Sequence, residues 1–384
     1  MAYLWLTWLF APLLRRLAGR APAGPQRIIV IQMAKIGDMV CTTPVFRALK
    51  ARYPQAHLSV MAIAQNAPLL RVNPQVDVVI EADARQFRGL RGKWRLARLL
   101  RAAHADTLIC LNAGAAYAVA ALWALIPRRL AVQSNFGGSS HRLAARLWSE
   151  TELHRGDRLI QATYMALLAR LGVREASMDK EIFMAPGAAA KAEAVLGLCA
   201  DAMPVAPGVL VGIGVSSGNR LKALGSEKII AVAQQILAAQ PAVRFVLIGS
   251  KDEQSQAQDI ARHLPPAAVI DACGALGIAE LPALLQRLTV FIGVDSGVTY
   301  MADALNLPIV SVAGPVDMQE TRPVGQRVII LQRTNLPCVP CSHTFDAPYT
   351  CRVGTRACIK EISAVEIARA ALALLTNSLE KSSS

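Results

Sequence analysis

The chain is poor in several things at once. Aromatic residues make up only 5% of its 384 residues, and charged residues only 18%. So few rings leave little from which to build stacking platforms for single-stranded nucleic acid. No nucleic-acid partner is expected, despite a net charge of +14. Eight cysteines over this length are too few for a disulfide scaffold. There is no GxGxxG after an apolar strand-like run, so the dinucleotide fingerprint is missing. No repeat of solenoid period occurs. The apolar start, Ala2–Leu14, is 13 residues without a charge, too short to span a bilayer.

Acidic residues are scarce in one half only. Residues 1–185 hold 25 Lys and Arg against 11 Asp and Glu, a surplus of 14, whereas 186–384 hold 16 of each. That asymmetry implies an anionic partner for the first half: a membrane surface or a phosphorylated or acidic substrate. The apolar start is followed by Arg15, Arg16 and Arg20. A signal peptide carries its cations before the apolar run, and here they come after it. Residues 2–20 therefore read as a helix in the interface of an anionic leaflet, within a membrane-associating segment 1–24. The alternative is a helix packed on the protein's own core.

A chain of 384 residues is long for one domain, so two are expected, and 53% hydrophobic residues suffice to pack their cores. Short β-branched runs at Arg27–Gln32, His57–Ala62, Val76–Ile80 and Leu108–Leu111 read as buried strands. Thr42-Thr43-Pro44 reads as a helix start reaching Tyr53. A second series follows at Val209–Val215, Val243–Ile248, Val269–Asp271, Val290–Val294 and Ile309–Ala313. Helices are expected at Lys228–Ala239, Ile278–Leu288 and Val298–Leu305. Alternating β and α means parallel, doubly wound sheets. The fold class is α/β, with two Rossmann-like domains, 25–185 and 186–375, facing a central cleft, then a polar tail 376–384.

Chemistry-bearing residues gather after strands. Val290–Pro315 reads strand, turn, helix, strand, and its Asp295-Ser296-Gly297 turn suits a phosphate at a helix start, or an ordinary crossover. Lys35-Ile36-Gly37-Asp38 follows the first strand, where Asp38 suits a general base or a capping residue. Ser216-Ser217-Gly218-Asn219-Arg220-Leu221-Lys222 offers hydroxyls and cations to a diphosphate, or is a polar loop. Gly249-Ser250-Lys251-Asp252-Glu253 stands where a nucleoside would be touched.

Three stretches, IGDMVCTTPVFRALKARYP, FVLIGSKDE and GVDSGVTYMADALNLPIVSVAGP, together resemble glycosyltransferase family 9, the ADP-heptose:lipopolysaccharide heptosyltransferases. The resemblance spans Arg27 to Ile367 and implies the GT-B fold, with the acceptor on the first domain and the sugar nucleotide on the second. It implies an inverting, metal-independent transfer of heptose from an ADP-sugar donor to an anionic glycolipid acceptor of the lipopolysaccharide core, peripheral on the cytoplasmic side of the inner membrane. Asp38 looks like the family's base and Lys222 like the lysine that neutralises the diphosphate. Ser296, Gly297 and Thr299 look like the phosphate cradle, with Asp295 ordering the loop. Lys35, Gly37, Ser216, Ser217, Gly249 and Tyr300 complete the expected binding set. The chain departs from the family where Tyr300 replaces a usual His, and where Ala223-Leu224-Gly225 follows Lys222 in place of a Trp-Pro run. A sugar-nucleotide epimerase of the same fold and a non-catalytic member remain the alternatives.

Two features lie outside that pattern. Cys338, Cys341, Cys351 and Cys358 supply four thiols with one CxxC, either a structural zinc site or free thiols. Arg85, Arg88, Arg91, Lys93, Arg95, Arg98 and Arg101 recur at steps of three and four, so several share one helix face. That face is either solvated or turned to phosphates.

Overall fold

The computed structural model describes residues 2–112, 114–136, 138–174, 176–197 and 208–382. Residues 198–207, part of the stretch between the two strand series, and the last two tail residues lie outside that set. The chain divides into two compact units, Met1–Lys180 and Glu181–Ser384.

Unit 1 holds six parallel strands: β1 Arg27–Gln32, β2 His57–Ala62, β3 Val78–Glu81, β4 Thr107–Cys110, β5 Arg128–Gln133 and β6 Glu150–Leu153. Their spatial order is β3-β2-β1-β4-β5-β6. Unit 2 holds β7 Leu210–Gly214, β8 Arg244–Ile248, β9 Val269–Asp271, β10 Val290–Val294, β11 Ile309–Val312 and β12 Val328–Leu331. Their order, β12-β11-β10-β7-β8-β9, is the same topology read from the other edge. Both sheets are doubly wound Rossmann sheets with helices on both faces.

The central strands are apolar runs rather than alternating ones because helices cover both faces. β4 is buried at all four positions, and β10 at all five. β5, β6 and β12 went unread in the sequence. β5 opens on two arginines and β6 reads ETEL, so neither shows an apolar run. Arg129, 2% exposed, is accommodated because its guanidinium donates to the carbonyls of Ile126, Pro127 and Leu147. Burial lowers its pKa to about 10.

In unit 2 the helix Ser226–Ala239 buries Ile229, Val232, Ala233 and Ile236, the i, i+3, i+4, i+7 stripe of an amphipathic helix. They pack with Val211, Phe245 and Ile292 of the sheet. Truncating Ile229 to Ala would cost about 2–5 kcal/mol.

Several expected boundaries move. The helix expected from Thr42 starts at Ile36 and runs to Arg52 with Pro44 inside it. Pro44 has no N–H for the carbonyl of Val40, and the Thr43 hydroxyl donates to that oxygen instead, at 2.8 Å. The expected helix Ile278–Leu288 shrinks to Leu281–Leu285. The helix Ala364–Ser382 continues into the polar tail as far as Ser382. Lys93 leaves the arginine face: it is buried, donating to the Gly89 carbonyl at 3.1 Å with its ammonium 4.4 Å over the Tyr3 ring.

Candidate active site

Each sheet reverses its winding beside its own first strand, between β1 and β4 and between β7 and β10. Open α/β sheets bind ligands outside the carboxyl ends of strands at such a reversal. In unit 2, β7 leads into Ser216-Ser217-Gly218-Asn219 and β10 into Asp295-Ser296-Gly297. Lys222 Nζ forms a hydrogen-bonded ion pair with Asp295 Oδ2, the two side chains 14% and 11% exposed. Tyr300 donates its hydroxyl to Asp295 Oδ1 at 2.6 Å. Ser217 Oγ donates to the Asp295 carbonyl at 3.4 Å. The carboxylate is thus held on both oxygens and its backbone is tied to the neighbouring loop.

Local chemistry fixes that loop. The Asn219 side-chain carbonyl accepts from Leu221 N at 3.1 Å and closes the turn Arg220–Lys222. Its amide donates to the Pro348 carbonyl at 2.9 Å. The Arg356 guanidinium donates to the carbonyls on either side of Lys222, Leu221 at 3.3 Å and Ala223 at 2.6 Å. On β10, a Cβ at Gly293 would stand 2.5 Å from Phe291 Cε1 and 2.8 Å from Thr299 Oγ1. Only glycine lets the strand and the following helix approach this closely.

The helix Gly297–Ala304 starts with Ser296 at its N-cap, without a side-chain capping bond. First-turn N–H groups have no intrahelical partner and carry the positive end of the helix dipole. Beside Lys222 they make an anion-binding corner. Thr299 and Tyr300, counted among the ligand-binding residues, are 0% and 4% exposed. Thr299 Oγ1 donates to the Val294 carbonyl and lies 3.2 Å from Ser296 Oγ. These two residues shape the corner from behind. Ser216 is half-buried at the end of β7. Gly249 follows β8, and a Cβ there would stand 2.7 Å from Val215 Cγ2, so packing asks for glycine at this position. Ser250 and Glu253 close the next turn as a capping box.

In unit 1, Asp38 sits half-buried in the first turn of Ile36–Arg52. A carboxylate there is favoured by the helix dipole. Gly37 precedes it and Lys35, exposed, holds the N-cap position. Thr42 Oγ1 donates to the Asp38 carbonyl at 2.8 Å and accepts from Gln32 Nε2 at 2.9 Å. Gln32 Nε2 also reaches the Tyr164 hydroxyl at 3.3 Å. Burial, with the Asp38 charge adding to it, pushes Tyr164 far above the ordinary phenol range. The preceding loop is pinned twice: Met33 N donates to Asn112 Oδ1, just past β4, and Asn66 Nδ2 donates to the Ala34 carbonyl at 2.8 Å.

The four late cysteines are near enough to feel one another's charge. Burial first, then Cys338 and Cys351, raise the pKa of Cys341, whereas backbone N–H groups, Arg356 N foremost, lower that of Cys351. Yet among the described residues only Asp317, Glu320 and His343 bring three ligand atoms within 4.8 Å of one another. The thiols do not close to that spacing, so the geometry gives the zinc reading no support.

Sequence reasoning missed Asn66, Asn112 and Arg356. Each acts on backbone 32 to 135 residues away, and no local pattern signals that.

Residues 93–348, two thirds of the chain, match the family described as glycosyltransferase family 9 (heptosyltransferase). Lipopolysaccharide heptosyltransferase 3 of Escherichia coli is 25% identical over 313 residues, 81% of this chain and 89% of that protein. The crystal structure of a family 9 glycosyl transferase from Veillonella parvula matches with TM-score 0.72 at 21% identity, covering 92% of this chain and 98% of that one. The structure of E. coli ADP-heptose lipopolysaccharide heptosyltransferase II matches with TM-score 0.70 at 20% identity, covering 91% and 99%. The fold is therefore the GT-B class of two Rossmann-like domains.

Proposed function

The chain belongs to glycosyltransferase family 9 and is a glycosyltransferase, and we propose that it transfers heptose from ADP-heptose, with inversion, to a lipopolysaccharide core or a related anionic glycolipid. One observation carries this reading: Lys222, held by Asp295, stands with the start of the Gly297–Ala304 helix at the reversal of the second sheet. A cation and a helix N-terminus there are what a leaving diphosphate needs. The donor and acceptor are those named for the similar proteins, and the basic first half of the chain suits an anionic acceptor.

In this reading Asp38 takes the proton of the acceptor hydroxyl. The oxygen forms a bond to the anomeric carbon while the bond to the β-phosphate oxygen breaks on the opposite face, and ADP leaves. Lys222 and the first-turn N–H groups meet the charge that develops on ADP, without a divalent metal. Asp295 keeps Lys222 in place between turnovers, and Tyr300 keeps Asp295 in place. Substituting Tyr for the family's usual His retains a donor to that carboxylate while removing a group that titrates near neutrality. The protein works at the cytoplasmic face of the inner membrane, its Ala2–Ala18 helix lying on the leaflet. Among the described residues no helix is long and apolar enough to cross a membrane.

The test is a donor screen on a truncated lipopolysaccharide acceptor, read by mass spectrometry, with ADP-heptose beside other ADP-, UDP- and GDP-sugars. Product is expected from ADP-heptose alone and undiminished in EDTA. Product from a UDP-sugar with none from ADP-heptose would sink the donor assignment. Isomerised sugar nucleotide without acceptor would replace transfer by epimerisation.

A further inference from the structure

The Ala2–Ala18 helix buries only a narrow stripe, Leu4, Thr7 and Ala11. Trp5, Leu6, Leu9, Phe10, Leu13 and Leu17 are each more than half exposed. This helix is locked to its neighbours: Trp123 Nε1 donates to Thr7 Oγ1 at 3.1 Å, and the Lys93 ammonium of the Gly89–Ala102 helix lies over the Tyr3 ring. Between the Ala2–Ala18 and Gly89–Ala102 helices runs an open groove of about 760 Å³. Leu6, Phe10, Leu14, Leu90 and Trp94 contribute its apolar lining, and Arg98 and Arg101 are its charged members. Trp94 is 57% exposed, with the Arg98 guanidinium 4.9 Å over its ring. A second hollow on the same helix, about 920 Å³, adds Arg91 and Arg95. Among the described residues, no acidic side chain lines either hollow.

The charge and the apolar lining together narrow the occupant. A free phosphate has no use for a long apolar groove, and a neutral amphipathic segment has no use for two arginines lining it with two more in the hollow beside it. A molecule with a hydrocarbon chain and an anionic head matches both. We propose that this two-helix groove seats an anionic phospholipid of the bilayer leaflet, an acyl chain between the helices and its phosphate at Arg98 and Arg101. The proposal rests on the reading that the Ala2–Ala18 helix lies on a membrane, and it adds a second membrane-facing helix and a defined lipid site. It also accounts for the arginine face, since Arg91, Arg95, Arg98 and Arg101 lie on the exposed part of one helix and let that helix rest on headgroups along its length.

The full chain is floated with vesicles of phosphatidylcholine alone, or of equal parts phosphatidylcholine and phosphatidylglycerol. The unaltered protein should float with the anionic vesicles. Arg98→Glu with Arg101→Glu should lower that partition by about tenfold or more, and Leu90→Glu with Trp94→Glu should lower partition to both vesicle types. Melting temperature and ADP affinity should stay unchanged in both double variants. On the unaltered chain, phosphatidylglycerol with a photoreactive acyl chain should crosslink within residues 6–14 and 90–101. Crosslinks confined elsewhere overturn the proposal. If both double variants float normally while Leu9→Glu with Leu13→Glu does not, the N-terminal helix alone meets the membrane: the groove proposal fails and the membrane reading stands. If the unaltered protein does not float at all, both fall. If Leu90→Glu with Trp94→Glu instead converts a dimer to a monomer with flotation intact, a second copy fills the groove and the lipid proposal is overturned.

Discussion

The two units wind their sheets identically and place opposite chemistry at the same topological point. At the reversal of the first sheet, β1 feeds a short loop and then a 17-residue helix whose first turn carries a carboxylate, Asp38. At the reversal of the second, β7 feeds a longer loop that brings a cation, Lys222, to the start of the helix after β10. Their surroundings differ likewise. Asp38 lies near a buried, neutral tyrosine, whereas Asp295 is committed to Lys222 and Tyr300. A shared topology fixes where a site can be, and the loops decide what it does.

In the proposed reading, chemistry falls to one unit and donor binding to the other, and that division can be broken. Asp38→Asn should cut kcat about a thousandfold, as expected for a lost general base, with ADP affinity by calorimetry unchanged. An equal loss of ADP affinity would erase the division of labour. Lys222→Ala should raise the Kd for ADP by about ten- to a hundredfold, the worth of a hydrogen bond to a charged group, while the acceptor KM stays put. Tyr300→Phe removes one neutral donor from Asp295 and should weaken ADP by about fivefold, with Tyr300→His recovering most of it. A Tyr300→Phe effect as large as that of Lys222→Ala would mean the hydroxyl touches the donor directly.

The smallest effect concerns unit 2 away from its site. Arg333, then the Ser363 N–H and hydroxyl, hold Glu366 down to about 2, against an ordinary 4.5. A depressed carboxylate stabilises fully above its unfolded pKa and loses that contribution as pH falls through the folded one. The benefit is therefore present at neutral pH and disappears between about 4.5 and 2. With the Glu366 side chain 35% exposed, solvent screening limits it to about 0.5 kcal/mol. Glu366→Gln should melt slightly lower than the unaltered chain at pH 7 and converge with it at pH 2. A constant difference at both pH values would assign the effect to capping rather than charge.

Parts of each sheet were legible to the residue. Arg27–Gln32, His57–Ala62 and Val290–Val294 are strands over the spans their apolar runs indicate, because a strand covered on both faces must be apolar throughout. β6 was not legible, since an edge strand can alternate Glu with Thr and Leu. The start of the Ile36–Arg52 helix was hidden by Pro44, which reads as a first-turn residue until Thr43 is seen serving the orphaned carbonyl. Lys93 reads as one more cation of a solvated stripe, and only its neighbours, Gly89 and the Tyr3 ring, show it turned inward.

The sequence by itself determined the two βα series, the basic first half, and the positions after strands where Asp38, Lys222 and Ser296 stand. Those are local properties, written in runs of β-branched residues, turn residues and charge. Only the tertiary structure decided that Lys222 grips Asp295 across 73 residues of chain, that the buried Tyr300 donates to the same carboxylate, and that the N-terminal helix and the arginine helix share one groove. Such pairings depend on which loops a parallel sheet brings together at its reversal and which helices pack on the same face, and no local pattern of residues encodes that adjacency.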